Sequence, residues 1–404
     1  MRVLIISQYF YPEEFKINDL ARELVCRGHH VTVLTGKPNY PKGEYYDGYG
    51  YEGIVKENYH GAEIVRIPLR KRGNGDLLNL VRNYISYVVN AKRYIRKNRM
   101  AFDAILCFEV SPITQAYPAL YCKKKYGGKV LLWVQDLWPE SVTAAGGVKN
   151  RFVLGTLERM VKQIYTKCDV LLVQSEGFRE SILSKGDFAS KIVYAPNWAE
   201  DLYIEKEKVN IATVATMMPK GFRVMFAGNV GVAQNVDAII KAAKETHDIQ
   251  EIKWVIVGDG RARASVEKLA KQLGLMDTVV FLGRHPMAQM PTFFSYADVM
   301  VVSLKDEYIF SLTVPAKTQS YMASGKPIVT MLNGEGNRIV EEARCGLTAA
   351  AGDYLSLAKN VVTLYRERKE ELYKMGQRGL TYYLNHFDKK TVVDTIINSI
   401  VSIP

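Results

Sequence analysis

The chain has 404 residues, of which 48% are hydrophobic and 24% charged, and a formal net charge of +12. Such a length exceeds one typical compact domain, and such a composition excludes a disordered or fibrous chain, so two globular domains are expected. The positive balance favours polyanionic partners: nucleic acid, a phosphorylated substrate or anionic lipid.

The N-terminal run Val3-Leu4-Ile5-Ile6 is apolar for four residues before Ser7. It is too short for a signal peptide or a membrane span and reads as a buried first strand. No later stretch reaches the roughly 18 apolar residues of a spanning helix, so a soluble or peripheral protein is expected. Cys26, Cys107, Cys122, Cys168 and Cys345 are odd in number, widely spaced and without a CxxC pair. That pattern suits reduced thiols in a cytosolic protein rather than a disulfide frame or a zinc site.

In chain order, strands are predicted at Val3–Ser7, Val31–Thr35, Glu63–Arg66, Ala104–Phe108, Val130–Val134 and Val170–Gln174, with a helix over Asp19–Arg27 that Gly28 terminates. Short β-branched runs alternating with helical periods imply parallel sheets built from βαβ units, a Rossmann-like half. Ala195 to Trp198 opens a charged, irregular stretch ending at Pro219-Lys220-Gly221, read as the linker. A second βα series follows with strands at Arg223–Ala227, Lys253–Val257, Thr278–Leu282, Val299–Ser303 and Pro327–Thr330, and helices at Ala262–Leu273 and Leu355–Tyr373. The predicted division is an N-terminal domain over 1–200, a C-terminal domain over 201–385, and a last helix over 386–404 that crosses back to the first. Open parallel sheets bind ligands at the carboxyl ends of their strands, so two such halves are expected to leave a ligand cleft.

From Arg70 to Arg99 nine basic residues (Arg70, Lys71, Arg72, Arg82, Lys92, Arg93, Arg96, Lys97, Arg99) face one acid, Asp76. Leu77, Leu80, Val81, Tyr84, Ile85, Val88, Ala91 and Ile95 recur there at helical spacing. A basic helix of this kind either lies in a membrane interface, with Tyr84, Tyr87 and Tyr94 at headgroup level, or packs on its own sheet with a solvated cationic back. No RNA or DNA motif accompanies it, and nucleic acid is not expected as a partner.

Three segments of the second half carry phosphate-binding features. Gly228-Asn229-Val230-Gly231 follows a strand and precedes a helix from about Asn235, so its glycines let backbone amides approach an anion while Asn229 and Gln234 add side-chain hydrogen bonds. Gly258-Asp259-Gly260-Arg261 sits in the same context, but Arg263 occupies the third glycine position of a dinucleotide fingerprint, which argues against NAD and leaves Arg261 to meet a phosphate. A helix from Pro315 to Gly325 presents Lys317 and Ser320. In the first half, Glu109 and Asp136 follow strands and are candidates to position or deprotonate an acceptor hydroxyl.

The run Gln8-Tyr9-Phe10-Tyr11-Pro12-Glu13-Glu14-Phe15-Lys16, with Arg27-Gly28-His29-His30-Val31 and Gly36-Lys37-Pro38-Asn39-Tyr40-Pro41, resembles glycosyltransferase family 4. So do Trp133-Val134-Gln135-Asp136-Leu137-Trp138-Pro139-Glu140, Gly228-Asn229 with Gln234, and Pro315-Ala316-Lys317. The likeness covers essentially the whole chain and points to bacterial transferases of colanic acid, capsule and O-antigen assembly, including fucosyl and N-acetylfucosaminyl transferases. It implies an α/β GT-B fold, two Rossmann-like domains with parallel sheets facing across a cleft, and retaining sugar transfer.

The resemblance further implies an acceptor in the first domain, a UDP- or GDP-sugar in the second, and no metal or other cofactor. The family's usual glycine pair is replaced by Glu14-Phe15-Lys16, its usual cations by Asn229 and Gln234, and its paired glutamates by Leu312 and Ser320. The diphosphate leaving group then relies on Lys317, Lys16 or Arg261 for charge. Expected donor residues are Lys16, Gly228, Asn229, Gln234, Gly258, Gly260, Arg261, Arg284, Pro315, Lys317 and Ser320; expected catalytic residues are Asp136, Glu109 and Lys317. The expected partners are a polyprenyl-diphosphate-linked acceptor and the anionic inner face of the cell membrane. A nucleotide-sugar epimerase and a non-catalytic partner subunit with an eroded site are the alternatives.

Overall fold

The computed structural model describes residues 1–144, 150–205 and 211–401. Residues 206–210 of the expected linker and 402–404 of the expected last helix lie outside the described residues. The chain divides into two compact units: Met1–Pro196 with the chain from Val392 onward, and Asn197–Thr391.

The first unit is built on β1 (Arg2–Ile6), β2 (His30–Gly36), β3 (Val55–Tyr59), β4 (Ala62–Ile67), β5 (Ala104–Glu109), β6 (Lys129–Val134), β7 (Val170–Val173) and β8 (Ile192–Tyr194). Their order in the sheet is β3-β4-β2-β1-β5-β6-β7-β8. Pairings are parallel except for the antiparallel edge hairpin of β3 with β4. Ile6 lies opposite Leu34 and Cys107, and Val134 opposite Glu109 and Val173. Gln8, Glu109 and Asp136 therefore emerge along the same carboxyl edge of the sheet.

The second unit carries β9 (Phe222–Ala227), β10 (Ile252–Val257), β11 (Val279–Gly283), β12 (Val299–Ser303), β13 (Ile328–Met331) and β14 (Gly346–Ala349). All pair in parallel in the order β11-β10-β9-β12-β13-β14. The central strands carry long apolar runs because both faces are covered. Val224, Phe226, Trp254, Ile256, Val299 and Val301 pack into one core layer, and Met225, Ala227, Val255, Val257, Met300 and Val302 into the other. Each large apolar side chain so buried contributes about 1.5–3 kcal/mol. Ala227 lies opposite Val257, so Gly228 and Gly258 leave the sheet as neighbours.

Two sequence expectations are corrected. The helix predicted over Leu355–Tyr373 is two helices, Tyr354–Arg366 and Lys369–His386, with Glu367 and Arg368 extended between them. Arg366-Glu367-Arg368-Lys369 offers no apolar residue to bury, so nothing holds the helix on one axis there. The edge strands β3, β8 and β14 were not predicted, because the polar or short runs of half-buried edges carry little apolar signal.

The last helix runs Lys389–Val401, and Asp394 on it pairs with Arg27 of the first unit. Among the described residues no helix is long and apolar enough to cross a membrane.

Candidate functional site

In the second unit, two glycine turns follow β9 and β10. Gly228 and Gly258 adopt φ of +129° and +138°, open to glycine alone without strain. A Cβ on Gly258 would stand 1.9 Å from the Gly228 carbonyl oxygen, and one on Gly260 would stand 2.4 Å from that of Val230. The turns interlock through hydrogen bonds from Gly228 N to Val257 O (2.8 Å), Val230 N to Asp259 O (2.9 Å), Gly258 N to Gly283 O (2.7 Å) and Ala262 N to Val230 O (3.0 Å). The Gly260 amide donates to Asp259 Oδ1 at 2.8 Å. This corrects the expectation that these glycine amides cradle an anion. The Gly228 amide is taken by Val257 O, the Gly258 amide by Gly283 O at the end of β11 and the Gly260 amide by the Asp259 side chain, and the glycines serve close packing.

What that packing makes room for is Lys317. A Cβ on Gly228 would meet Lys317 Cε at 2.5 Å and Nζ at 3.0 Å. Lys317 rises from the helix Ala316–Ala323, and its Nζ lies 3.9 Å from the centroid of the Phe226 ring. The stem reaches the surface, but the ammonium nitrogen is buried and has no hydrogen-bond partner. Burial pushes its pKa down to about 7. Among the described residues this amine faces only a ring and no counter-anion, and its burial therefore favours the neutral form. The helix is tied to β9 by Tyr321, whose buried hydroxyl accepts from Ala227 N (3.1 Å) and donates to Ala227 O (3.0 Å).

The other expected donor residues divide into two groups. Asn229 and Gln234 meet, Asn229 Nδ2 donating to Gln234 Oε1 at 3.4 Å, beside the first glycine turn. Ser303 Oγ donates to Gln234 O at 2.5 Å and pins that turn to β12. Pro315 caps the Lys317 helix. Ser320 is buried and its hydroxyl bonds back to Ala316 O at 3.2 Å, with Tyr203 as its other partner, so the expected donor contact is corrected to an internal one. Arg261 and Arg284 are exposed, and Lys16 begins the helix Lys16–Cys26 in the first unit.

In the first unit Asp136 is half-buried, and its carboxylate accepts from Ser111 N at 2.8 Å, while Trp138 Nε1 donates to Ser111 Oγ at 3.0 Å. Glu109 is corrected. It is wholly buried, neither carboxyl oxygen has a partner, and burial, then the neighbouring Asp136 charge, hold its pKa well above the ordinary carboxylate range. A neutral acid sealed in the sheet does not reach an acceptor hydroxyl.

Sequence reasoning missed a polar group beside Asp136. Arg72 donates to the Tyr9 hydroxyl at 2.5 Å and stacks on Tyr9 and Tyr40, and Gln8 Nε2 donates to Tyr9 Oη (3.1 Å) and Asn83 Oδ1 (2.7 Å). Tyr84 lies within electrostatic reach of both Arg72 and Asp136, and burial first raises its phenol pKa. Nearby, the buried Glu13 carboxylate accepts from Phe10 N, Asn39 N and Tyr40 N at 3.1, 2.9 and 2.8 Å. Burial pushes its pKa up to about 7. The signal available was the dense polar–aromatic run from Gln8 to Tyr49 itself.

The basic helix is Leu77–Asn98. Tyr87, Ala91, Tyr94 and Ile95 are buried against the sheet, whereas Leu77, Leu78, Val81, Ile85 and Val89 are exposed. Tyr87 and Tyr94 are therefore corrected from interfacial to core residues, and Arg72 from a surface cation to a half-buried one over two rings.

Two parallel-sheet α/β units are the architecture of the GT-B glycosyltransferases, the fold of the solved structures to which the chain is similar. Residues 17–200 match the model described as Glycosyltransferase Family 4 and residues 221–367 that described as Glycosyl transferases group 1; the chain belongs to this glycosyltransferase family and is an enzyme of that class. It is 29% identical over 240 residues to a protein of Pseudomonas aeruginosa named as a glycosyltransferase, WbjE, covering 58% of this chain and 59% of that one. It is 24% identical over 302 residues to an Escherichia coli protein named as a colanic acid biosynthesis glycosyl transferase, WcaI, covering 70% and 71%. The match thus spans less than two thirds of the first relative's length. In fold it is similar to HepE from Anabaena, solved with UDP and glucose, at TM-score 0.72 and 14% identity over 100% of both chains.

Proposed function

We propose that this protein is a retaining glycosyltransferase that moves a sugar from a UDP- or GDP-sugar to a polyprenyl-diphosphate-linked saccharide during bacterial surface polysaccharide assembly. One observation carries the reading: the Lys317 ammonium is buried at paired glycine turns with no anion to meet. A nucleotide diphosphate supplies that anion. As the bond to the sugar breaks, charge grows on the departing oxygen, and a preplaced cation stabilises that growth more than it stabilises the bound donor. Asn229 and Gln234 offer hydrogen bonds at the same turn, and Arg261 and Arg284 offer exposed cations.

On the acceptor side Asp136 is the base or orienting group for the attacking hydroxyl, with Arg72, Tyr9 and Tyr84 around it. Glu109 has no direct part in this reading. The names of the bacterial relatives support a surface glycan as product, and the UDP in the HepE structure supports a nucleotide-linked donor.

Peripheral attachment to the cytoplasmic face of the membrane belongs to the same reading. Leu77, Leu78, Val81, Ile85 and Val89 are exposed on a helix that also exposes Arg82, Arg93, Arg96 and Lys97, the composition of an interfacial helix on anionic lipid.

The test incubates purified protein and bacterial membranes with a panel of UDP- and GDP-sugars and measures released nucleotide diphosphate. Release that depends on one donor and on the lipid fraction is expected. A protein that binds no nucleotide contradicts the proposal, and conversion of the donor alone to an epimer replaces it with the epimerase.

A further inference from the structure

The chemistry proposed above leaves one cavity of the first unit unused. A pocket of about 270 Å³ is lined by Tyr45, Tyr51, Arg70, Lys71, Asn79 and Arg82. Three of its six lining residues are cations and none is an acid. Lys71 Nζ is 2.5 Å from Glu44 Oε2 and forms an exposed ion pair with it. Arg70 stacks on Tyr51, its Cζ 5.7 Å from the ring centroid, and among the described residues neither Arg70 nor Arg82 forms an ion pair with a carboxylate. The nearest acid along the chain, Asp76, is occupied in capping the helix, accepting from Asn79 N at 2.9 Å and Asn79 Nδ2 at 2.6 Å. Tyr45 is fixed by its bond to Leu69 O at 2.7 Å, so one wall is rigid. The pocket is an open, aromatic-walled hollow that presents two exposed guanidinium groups.

Its position gives the second observation. Asn79 and Arg82 lie in the first turns of the helix Leu77–Asn98, and the exposed ridge Leu78, Val81, Ile85, Val89 runs from that point along the same helix. The twelve residue steps from Leu77 to Val89 cover roughly 18 Å at 1.5 Å per residue. An anion-binding hollow thus opens at the head of an exposed apolar strip. That juxtaposition matches a molecule with a compact, doubly charged head and a long hydrocarbon tail. Guanidinium forks bind adjacent phosphoryl oxygens bidentately, which favours a diphosphate over a singly charged phosphodiester dispersed on a flat lipid surface.

We infer that the pocket formed by Arg70, Arg82 and Tyr51 seats the diphosphate of a polyprenyl-diphosphate-linked molecule, with the first isoprene units laid along Leu78, Val81 and Ile85. The inference rests on the lipid-linked acceptor of the preceding section and assigns it a specific head-group site, separate from the nucleotide diphosphate at Lys317. Recognition is then of the lipid carrier as well as of its saccharide.

The experiment is vesicle co-flotation of the full chain. One set of neutral phosphatidylcholine vesicles contains a long-chain polyprenyl diphosphate; the other contains phosphatidylglycerol at matched negative charge. The expected result is at least tenfold tighter binding to the polyprenyl diphosphate set, and loss of that preference in the Arg70→Gln/Arg82→Gln double variant. An Arg70→Lys/Arg82→Lys variant keeps the charge without the fork and is expected to lose most of the preference while still binding both sets. It reads the same property if the glutamine variant does not fold. Equal binding of the natural protein to both sets, or a preference that survives both double variants, overturns the inference in favour of a generic anionic surface. Binding that prefers the diphosphate lipid in a protein that releases no UDP or GDP supports the pocket and contradicts the transfer reaction. Transfer without that preference contradicts the pocket alone.

Discussion

Replacing Lys317 by methionine removes a charge that the folded chain holds at a cost. The amine falls from 10.5 to about 7, and each unit corresponds to about 1.4 kcal/mol, which sets a ceiling of about 5 kcal/mol. The stem is half-exposed, so solvent relaxation reduces that figure, and the lost contact with the Phe226 face offsets a further ~1–2 kcal/mol. A net stabilisation of about 2 kcal/mol is expected near neutral pH and below. The unfolded chain holds its proton up to about pH 10.5 while the folded chain releases it near 7, so the penalty is full below pH 7 and fades between those values. The variant's advantage is therefore largest at about pH 6 and is essentially lost by about pH 9, where the remaining penalty of ~2 kcal/mol no longer exceeds the lost ring contact. In a unit of this size, the gain corresponds to ~4–8 °C in thermal midpoint. The same variant loses a charge-assisted contact to the donor, weakening UDP or GDP binding by about tenfold to a hundredfold. The assay is thermal unfolding of both proteins at the two pH values, with and without nucleotide. A Lys317→Met protein that melts lower at pH 6, shows no pH dependence in the difference, or keeps its nucleotide affinity refutes the reasoning.

Gly228→Ala places a Cβ 2.5 Å from Lys317 Cε at a φ of +129°, so a loss of about 2 kcal/mol or more in stability is expected, together with weaker nucleotide binding by calorimetry. Glu13→Ala leaves three buried amides without an acceptor and is expected to lower stability by about 2–4 kcal/mol in denaturant titration. Because burial raises Glu13 from 4.5 to about 7, its contribution is full below about pH 4.5 and declines as pH rises through 7; the gap between natural protein and variant should narrow in that window, and a widening gap contradicts the assignment. Asp136→Asn is expected to reduce kcat by about 10²–10⁴ with little change in donor KM, whereas Glu109→Gln, which replaces a group already neutral, should change kcat by less than about tenfold; equal losses in the two would return Glu109 to the mechanism. Val81→Ser with Ile85→Ser should reduce flotation on anionic vesicles without altering the thermal midpoint, since both side chains are exposed.

The centres of both sheets were legible because strands covered on both faces need unbroken apolar runs, as in Val3 to Ile6 or Val299 to Val302. The edge strands were not, since Val55–Tyr59 alternates half-buried with exposed residues and reads as a loop. The glycine turns were legible from spacing, but the use of their amides depends on which two turns pack together, and no local pattern encodes that. Lys317 could be named from its place after Pro315, whereas its burial follows from the missing side chain of Gly228, nearly ninety residues earlier. Glu109 looked like an exposed strand-end acid because nothing in Phe108 to Pro112 reveals that the folded chain buries its carboxyl completely. The basic helix was ambiguous for a different reason: apolar residues occupy most of its circumference, and only the sheet beneath selects Tyr87, Ala91 and Ile95 over Leu78, Val81 and Ile85 as the buried set.

The most direct measurement is the titration of the Lys317 side chain itself, by NMR of selectively labelled lysine assigned through Lys317→Met, in the free protein and with UDP or GDP. A midpoint of about 7 in the free protein that moves upward on adding nucleotide is predicted, because a bound diphosphate favours the charged amine. A midpoint near the ordinary lysine value in the free protein, or one unmoved by saturating nucleotide, contradicts the claim that this ammonium awaits a diphosphate.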